Sequence, residues 1–235
     1  MPEAKMAPVI CLDGPSGAGK GTVGRMLAQR LGWHFLDSGA LYRLVAVAAG
    51  QQGVDLDQPG SLARIAHGLD SGFGWDARGR ERILLAGRDV TTEVRAETTG
   101  AAASRVARHP EVRAALLARQ RADRRGPGLV ADGRDMGTVV FPDAPLKIFL
   151  TASADERARR RHKQLMEHGI GASIPDLIRE IEARDRQDRE RAVSPLVAAA
   201  DALNIDSTGR SPDELCALIV HEAERRRLCR VADLE

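Results

Sequence analysis

Short apolar runs recur along the chain, and segments with apolar positions at helical spacing follow most of them. Residues 9–12 form one run, and a helical stretch over 22–31 follows it. The run 33–37 leads into a helix over 39–49, for which Ser38 is placed as the cap. A helix over 61–69 comes after a polar turn, and helices over 97–108 and 110–124 come later, the second opening on Pro110. Residues 129–132, 146–150 and 203–206 read as further strands. Strongly charged helices over 155–167 and 174–191 flank a glycine break at 169–172. Ser211, Pro212 and Glu214 form the opening of a last helix that runs to about 228. Mostly apolar strands alternating with helices predict an α/β fold, a parallel sheet covered on both faces.

The period changes between 70 and 93. Phe73 and Trp75, a turn at 76–79, and the segments 80–86 and 89–91 predict short antiparallel strands. The expected organisation is one domain over 1–235, holding an antiparallel β insert at 70–93 and a helical lid region at 155–190.

Composition narrows the class without choosing a function. A chain of 235 residues with 43% hydrophobic residues can bury a sizeable core. No apolar run approaches the length of a bilayer span, and the first residues lack a leader pattern, so a cytoplasmic location is expected with no membrane partner. Cys11, Cys216 and Cys229 show no metal or redox spacing and are expected to be idle thiols; no transition-metal site is visible. The net charge is only +2 and aromatic residues are 3%, which disfavours a nucleic-acid surface built on base stacking. The basic residues are nearly all arginine, the side chain suited to gripping phosphates, although solvated helix faces use it too.

The first strand ends in Gly14-Pro15-Ser16-Gly17-Ala18-Gly19-Lys20-Gly21-Thr22. Strand, glycine loop, lysine and helix are the context of a phosphate-binding P-loop. Glycines let backbone N–H groups curl inward around a polyphosphate, and the helix that follows adds its positive end. Lys20 can reach the β- and γ-phosphates. The common pattern places a hydroxyl directly after the lysine. Here Gly21 stands there, which leaves Ser16 and Thr22 as the hydroxyls that could approach magnesium, Thr22 by its place just past the lysine.

Three other stretches fall at predicted strand ends or on charged helices. Asp37 to Arg43 carries Ser38, Tyr42 and Arg43, with Arg43 able to grip a phosphate. Asp132 to Thr138 opens on a strand-end carboxylate of the kind that holds magnesium through water, and a loop expected over 133–137 sets Arg134 and Asp135 beside it. Arg184, Asp188 and Arg191 recur on one helical face, a spacing that a solvated salt-bridge helix would share. Arg157, Arg160 and Arg161 lie on the preceding charged helix.

Together these stretches resemble the bacterial cytidylate kinases. Gly14 to Thr22, Asp37 to Arg43, Asp132 to Pro142, and Arg184 to Leu196 carry the resemblance over nearly the whole chain. It implies a P-loop kinase core with a five-stranded parallel sheet flanked by helices, an NMP-binding antiparallel insert and a helical lid. It implies transfer of the ATP γ-phosphoryl group to CMP or dCMP with Mg2+, in pyrimidine nucleotide metabolism, by an enzyme expected to be a monomer. Gly14 to Thr22 would hold ATP; Thr22 and, through water, Asp132 would hold magnesium. Ser38, Ser104, Arg113 and Asp135 would read the cytosine with Arg191 beside them, and Tyr42 joins that substrate set. Arg184 and Asp188 would address the sugar, and Arg43 and Arg134 the acceptor phosphate. Lys20, Arg134, Arg157 and Arg161 would stabilise charge during transfer.

The chemistry agrees with that residue list. A phosphate monoester has a second pKa of about 6, so its attacking oxygen is mostly ionised at neutral pH and needs no general base. An ionised Asp135 can only accept, which suits the cytosine amino group and repels the uracil oxygen. Kinases acting on UMP or AMP, or on a sugar-like alcohol with Asp37 or Asp135 as base, are the rival enzymes. A GTPase is excluded by asparagine content, because Asn204 alone cannot supply an N-K-x-D motif.

Overall fold

The computed structural model describes residues 6–77, 81–167 and 171–229. In chain order the elements are β1 (Val9–Asp13), α1 (Lys20–Leu31), β2 (His34–Asp37), α2 (Ser38–Gln51), α3 (Pro59–His67), β3 (Ser71–Trp75), β4 (Glu81–Leu85), β5 (Arg88–Asp89), α4 (Thr91–Arg95), α5 (Glu97–Val106) and α6 (Pro110–Ala122). They continue with β6 (Leu129–Asp132), a π-helical turn (Met136–Val140), β7 (Leu146–Thr151), α7 (Ala154–Glu167), α8 (Ile174–Glu190), β8 (Leu203–Asp206) and α9 (Pro212–Arg225). Backbone contacts divide the chain into two compact units, Met1–Asp37 with Arg121–Glu235, and Ser38–Gln120.

The first unit holds the expected five-stranded parallel sheet, in the order β2-β6-β1-β7-β8. The chain leaves β1 in one direction and returns past it in the other, so the carboxyl end of β1 lies at the reversal point where open α/β sheets bind ligands. Register sets Asp37 beside Asp132 and Leu12 beside Asp132 across neighbouring strands. Strand burial explains the order, since β1 and the apolar part of β6 are buried throughout. Ile10, Leu12, Leu27, Leu146, Ile148 and Ile219 share one core with α1 and α9. Each such side chain stabilises the fold by about 1.5–3 kcal/mol relative to exposure. The capping box at the start of α9 is formed, with Ser211 and Glu214 each accepting the other's backbone N–H.

In the second unit α2 packs on α5 and α3, and β3-β4-β5 form the antiparallel sheet expected from the change of period. Arg119 of α6 donates to the Leu69 and Ser71 carbonyls and fixes the start of β3. Arg78 and Gly79 of the expected turn, with Arg80, lie outside the described residues, as do positions 169 and 170 of the expected glycine break.

Four local expectations are corrected. Ser38 does not cap α2 from outside; it is the first helical residue and is buried. Trp33 precedes β2, its indole lying over Gly128, where an added Cβ would come within 2.3 Å of the ring. The strand expected at 89–91 stops at Asp89, and α4 begins at Thr91. The Asp89 carboxylate accepts both the N–H and the hydroxyl of Thr91, which turns the chain out of the sheet. The loop expected over 133–137 is helical from Met136 onward. Among the described residues no helix is long and apolar enough to cross a membrane.

Gly14 shows how tightly the strand order constrains the loop. Its φ is +143°, and an added Cβ would sit 2.0 Å from the Leu150 carbonyl oxygen of β7. Both atoms in that clash are tied to backbone, so nothing can move cheaply aside. Gly14→Ala is expected to cost about 3 kcal/mol or more in urea unfolding. Gly50→Ala, on the open face of α2 with nothing within 4 Å, is expected to be neutral or slightly stabilising.

Candidate active site

The loop after β1 is held from outside by its carbonyls. Lys20 Nζ donates to the Pro15 carbonyl at 2.9 Å. Arg157 donates to the Ser16 carbonyl at 3.1 Å. The Ser207 hydroxyl donates to the Ala18 carbonyl at 3.0 Å. In a trans peptide the C=O and the following N–H point in opposite directions. The N–H groups of Ser16, Gly17 and Gly19 therefore each point away from the partner of the carbonyl before them. Gly17 and Gly19 both adopt positive φ, 78° and 93°, and Gly19 leads into α1. An anion at the loop would meet the positive end of a 12-residue helix and its unpaired peptide donors.

Lys20 is almost fully buried and stands 3.9 Å from Asp132. Burial pulls the Lys20 ammonium below its ordinary value, with Arg134 adding repulsion and Asp132 opposing. Burial likewise raises the Asp132 carboxyl, with Lys20 opposing. A buried, under-neutralised carboxylate beside a phosphate loop suits a cation held through water. Gly21 faces it: an added Cβ there would lie 3.3 Å from Asp132 Oδ2. A side chain at that position would press on the carboxylate unless it gave way by a few tenths of an ångström. Thr22 is exposed on the first turn of α1 and Ser16 is half-buried.

Asp13, which the sequence reading passed over, organises the next stretch. Its carboxylate accepts from the Met136 and Gly137 N–H groups at 2.8 Å each. These bonds set the start of the π-helical turn and so the run Gly133 to Gly137 that carries Arg134 and Asp135. Arg134 donates to Asp188 of α8 at 3.0 Å, and Arg191 lies 4.0 Å from the same carboxylate. Burial opposes ionisation of Asp188, yet Arg134, Arg191 and Arg184 hold its carboxyl below the ordinary range. Asp135 is buried at the head of the turn.

Arg157 is placed differently from a free phosphate clamp. It makes a bidentate pair with Asp185 at 3.0 and 2.6 Å and also donates to the Ala152 carbonyl. Arg160 donates to Glu156 and to both the hydroxyl and the carbonyl of Ser207. Arg161 is partly buried, which lowers its pKa from the ordinary value, with Glu180 opposing. Asp185 and Ser207 are further residues that the sequence reading missed. Ser207 follows the end of β8, and the strand-end position was its one available signal.

The second unit holds the remaining expected residues. Arg43 donates to the Val94 and Ala96 carbonyls at 2.8 and 2.9 Å. An added Cβ on Gly100 would lie 2.7 Å from Arg43 Nη2, so that glycine gives the guanidinium its room. Arg113 is buried with its guanidinium 5.5 Å from the Tyr42 ring centroid, a cation–π pair. Ser104 donates back to the Gly100 carbonyl within α5.

Two predictions follow from this geometry. Burial raises the Asp13 carboxyl to about 6, the two N–H bonds opposing. Its proton is thus held more tightly in the folded chain than in the unfolded one. The associated stability is greatest below about pH 4 and is lost as pH rises to about 6. Wild type should lose about 2–3 kcal/mol relative to Asp13→Asn between pH 4 and 7 in urea unfolding, because the amide cannot titrate. Separately, Gly100→Ala should displace the Arg43 guanidinium from the Val94 and Ala96 carbonyls and cost about 1–3 kcal/mol in urea unfolding.

The chain was compared with known proteins. The cytidylate kinase family model matches residues 10–225. The chain is similar to a cytidylate kinase of Stutzerimonas stutzeri, 57% identical over 225 residues that cover 95% of this chain and 98% of that protein. It is also similar to cytidylate kinases of Aeromonas salmonicida and Aeromonas hydrophila, 54% and 53% identical, each over 94% of this chain and 96% of the relative. A match of this extent, over a chain whose glycine loop, Lys20–Asp132 pair and Arg134–Asp188 pair stand as described, means that the chain belongs to the cytidylate kinase family.

Proposed function

We propose that the chain transfers the γ-phosphoryl group of ATP to CMP or dCMP, giving CDP or dCDP, with Mg2+ as cofactor. The observation that carries this reading is the Lys20–Asp132 pair beside a glycine loop that leads into the N-terminus of α1. Gly14 to Thr22 would take the triphosphate. Magnesium, when bound, would neutralise phosphate charge, and Thr22 and, through water, Asp132 would hold it.

In the first unit, Arg134 would address the acceptor phosphate, Asp135 the cytosine amino group with Arg191 beside it, and Arg184 and Asp188 the sugar. In the second unit, Arg43 would grip the acceptor phosphate, and Ser38, Tyr42, Ser104 and Arg113 would complete the acceptor's contacts. The acceptor oxygen is already mostly ionised at neutral pH, so the residues need only align it and spread the charge of transfer. Lys20, Arg134 and Arg161 are the cations for that task, and Arg157 serves it by holding the loop. The α7–α8 region is proposed as a lid that excludes water. A cytoplasmic, monomeric enzyme is part of the same proposal.

A coupled assay with ATP against CMP, dCMP, UMP and AMP tests the reading directly. Turnover should be fastest with the cytidine nucleotides, and equal turnover with AMP would overturn it. Lys20→Ala should lower kcat by about 100-fold or more while CMP affinity stays close to wild type. Asp135→Asn should narrow the CMP/UMP ratio of kcat/KM by about tenfold, since an amide can also donate to the uracil oxygen.

A further inference from the structure

The phosphate loop and α8 are joined by two separate ionic routes. On the first, the Ser16 carbonyl accepts from Arg157, which forms the bidentate pair with Asp185 of α8. On the second, the Pro15 carbonyl accepts from Lys20, which pairs with Asp132; one peptide beyond Gly133, Arg134 pairs with Asp188 of α8. Adjacent loop carbonyls are thus linked to carboxylates three residues apart, on the same face of α8. The Arg157 stem also packs on the loop, lying 3.2 Å from where a Gly17 Cβ would stand. Arg157 and Asp185 are 5% and 7% exposed, so water does not screen the first route.

We propose that Arg157 and Asp185 are positioning residues that bind the phosphate loop and α8 into one element, so that a triphosphate on the loop and a nucleoside monophosphate addressed by Arg184 and Asp188 strengthen each other's binding. Neither side chain needs to touch a nucleotide for this. A triphosphate that orders the loop orders the Ser16 carbonyl, and through Arg157 it orders the turn of α8 that carries Arg184 and Asp188. Linkage makes the effect reciprocal: each ligand changes the other's affinity by the same factor. The inference rests on the proposed phosphoryl transfer between ATP and CMP.

The test measures the Kd of a non-hydrolysable ATP analogue with Mg2+, alone and at saturating CMP, and the Kd of CMP alone and at saturating analogue. Wild type should show a mutual gain of about fivefold or more. Asp185→Asn keeps the shape and removes the charge; with the Arg134–Asp188 route intact it should lower the factor at least about twofold while each ligand alone binds within about threefold of wild type. A charge-deficient pair can also weaken the fold, so the double variant Arg157→Met with Asp185→Leu is measured beside it. Apolar replacement of both partners can return stability without returning the bond to Ser16. The expected result is a recovered Tm and a coupling factor that stays as low as in Asp185→Asn. A wild-type factor of one, or a factor kept in either variant, would overturn the positioning role while leaving the proposed kinase activity intact. Absence of any CMP binding to wild type would overturn both.

Discussion

The fixed orientation of a few peptide groups underlies the rest of this structure. Lys20, Arg157 and Ser207 hold the carbonyls of Pro15, Ser16 and Ala18, and peptide planarity then turns the N–H group that follows each carbonyl away from that carbonyl's partner. The loop can hold this shape because Gly14 passes against the Leu150 carbonyl with no Cβ to obstruct it, and because Gly17 and Gly19 accept positive φ. The strand order β6-β1-β7 brings Asp132 to one side of the loop's base and Leu150 to the other. Sheet topology, loop geometry and charge placement are therefore one arrangement.

Buried charge is the second feature, and it is best understood as serving the site more than the fold. Asp13, Lys20, Asp135, Arg157, Asp185 and Asp188 are all buried. Removing one partner of such a pair costs about 3–5 kcal/mol, but the net gain over an apolar pair is small or negative. What these groups supply is a preset field. The Lys20 ammonium and the Asp132 carboxyl are each pushed by burial towards their neutral forms, so an arriving polyanion and cation would meet partners with little water to displace. Asp13 shows a structural use of the same economy, with one carboxylate satisfying two backbone donors and thereby placing Arg134 and Asp135.

Much of this was legible in the sequence where function and local pattern coincide. The glycine loop, the strand ending in Asp132, the antiparallel insert and the capping box of α9 each depend on residues close together in the chain. The parallel sheet followed from apolar strands alternating with helices. What was hidden depends on partners distant in sequence. Asp185 reads as one acid in a charged helix, and only folding sets it against Arg157, 28 residues earlier. Ser207 meets Ala18 across 189 residues. Asp13 stood between the first apolar run and the glycine loop with no signal of its own, and its partners lie more than 120 positions away. The short helix α4 was missed because β-prone Thr91 and Thr92 follow a strand, while the side-chain bonds of Asp89 turn the chain instead. Ser38 resembled a cap by type, yet its burial within α2 decides its place.

The claim that loop amides grip a polyphosphate is open to one direct measurement. Residue-resolved hydrogen exchange can be followed at Ser16, Gly17 and Gly19, with and without ATP and Mg2+. The account predicts that nucleotide slows exchange at these three amides well beyond any change at the exposed amides of α9. Exchange at the three that is the same in both conditions, while ATP is demonstrably bound, would contradict it.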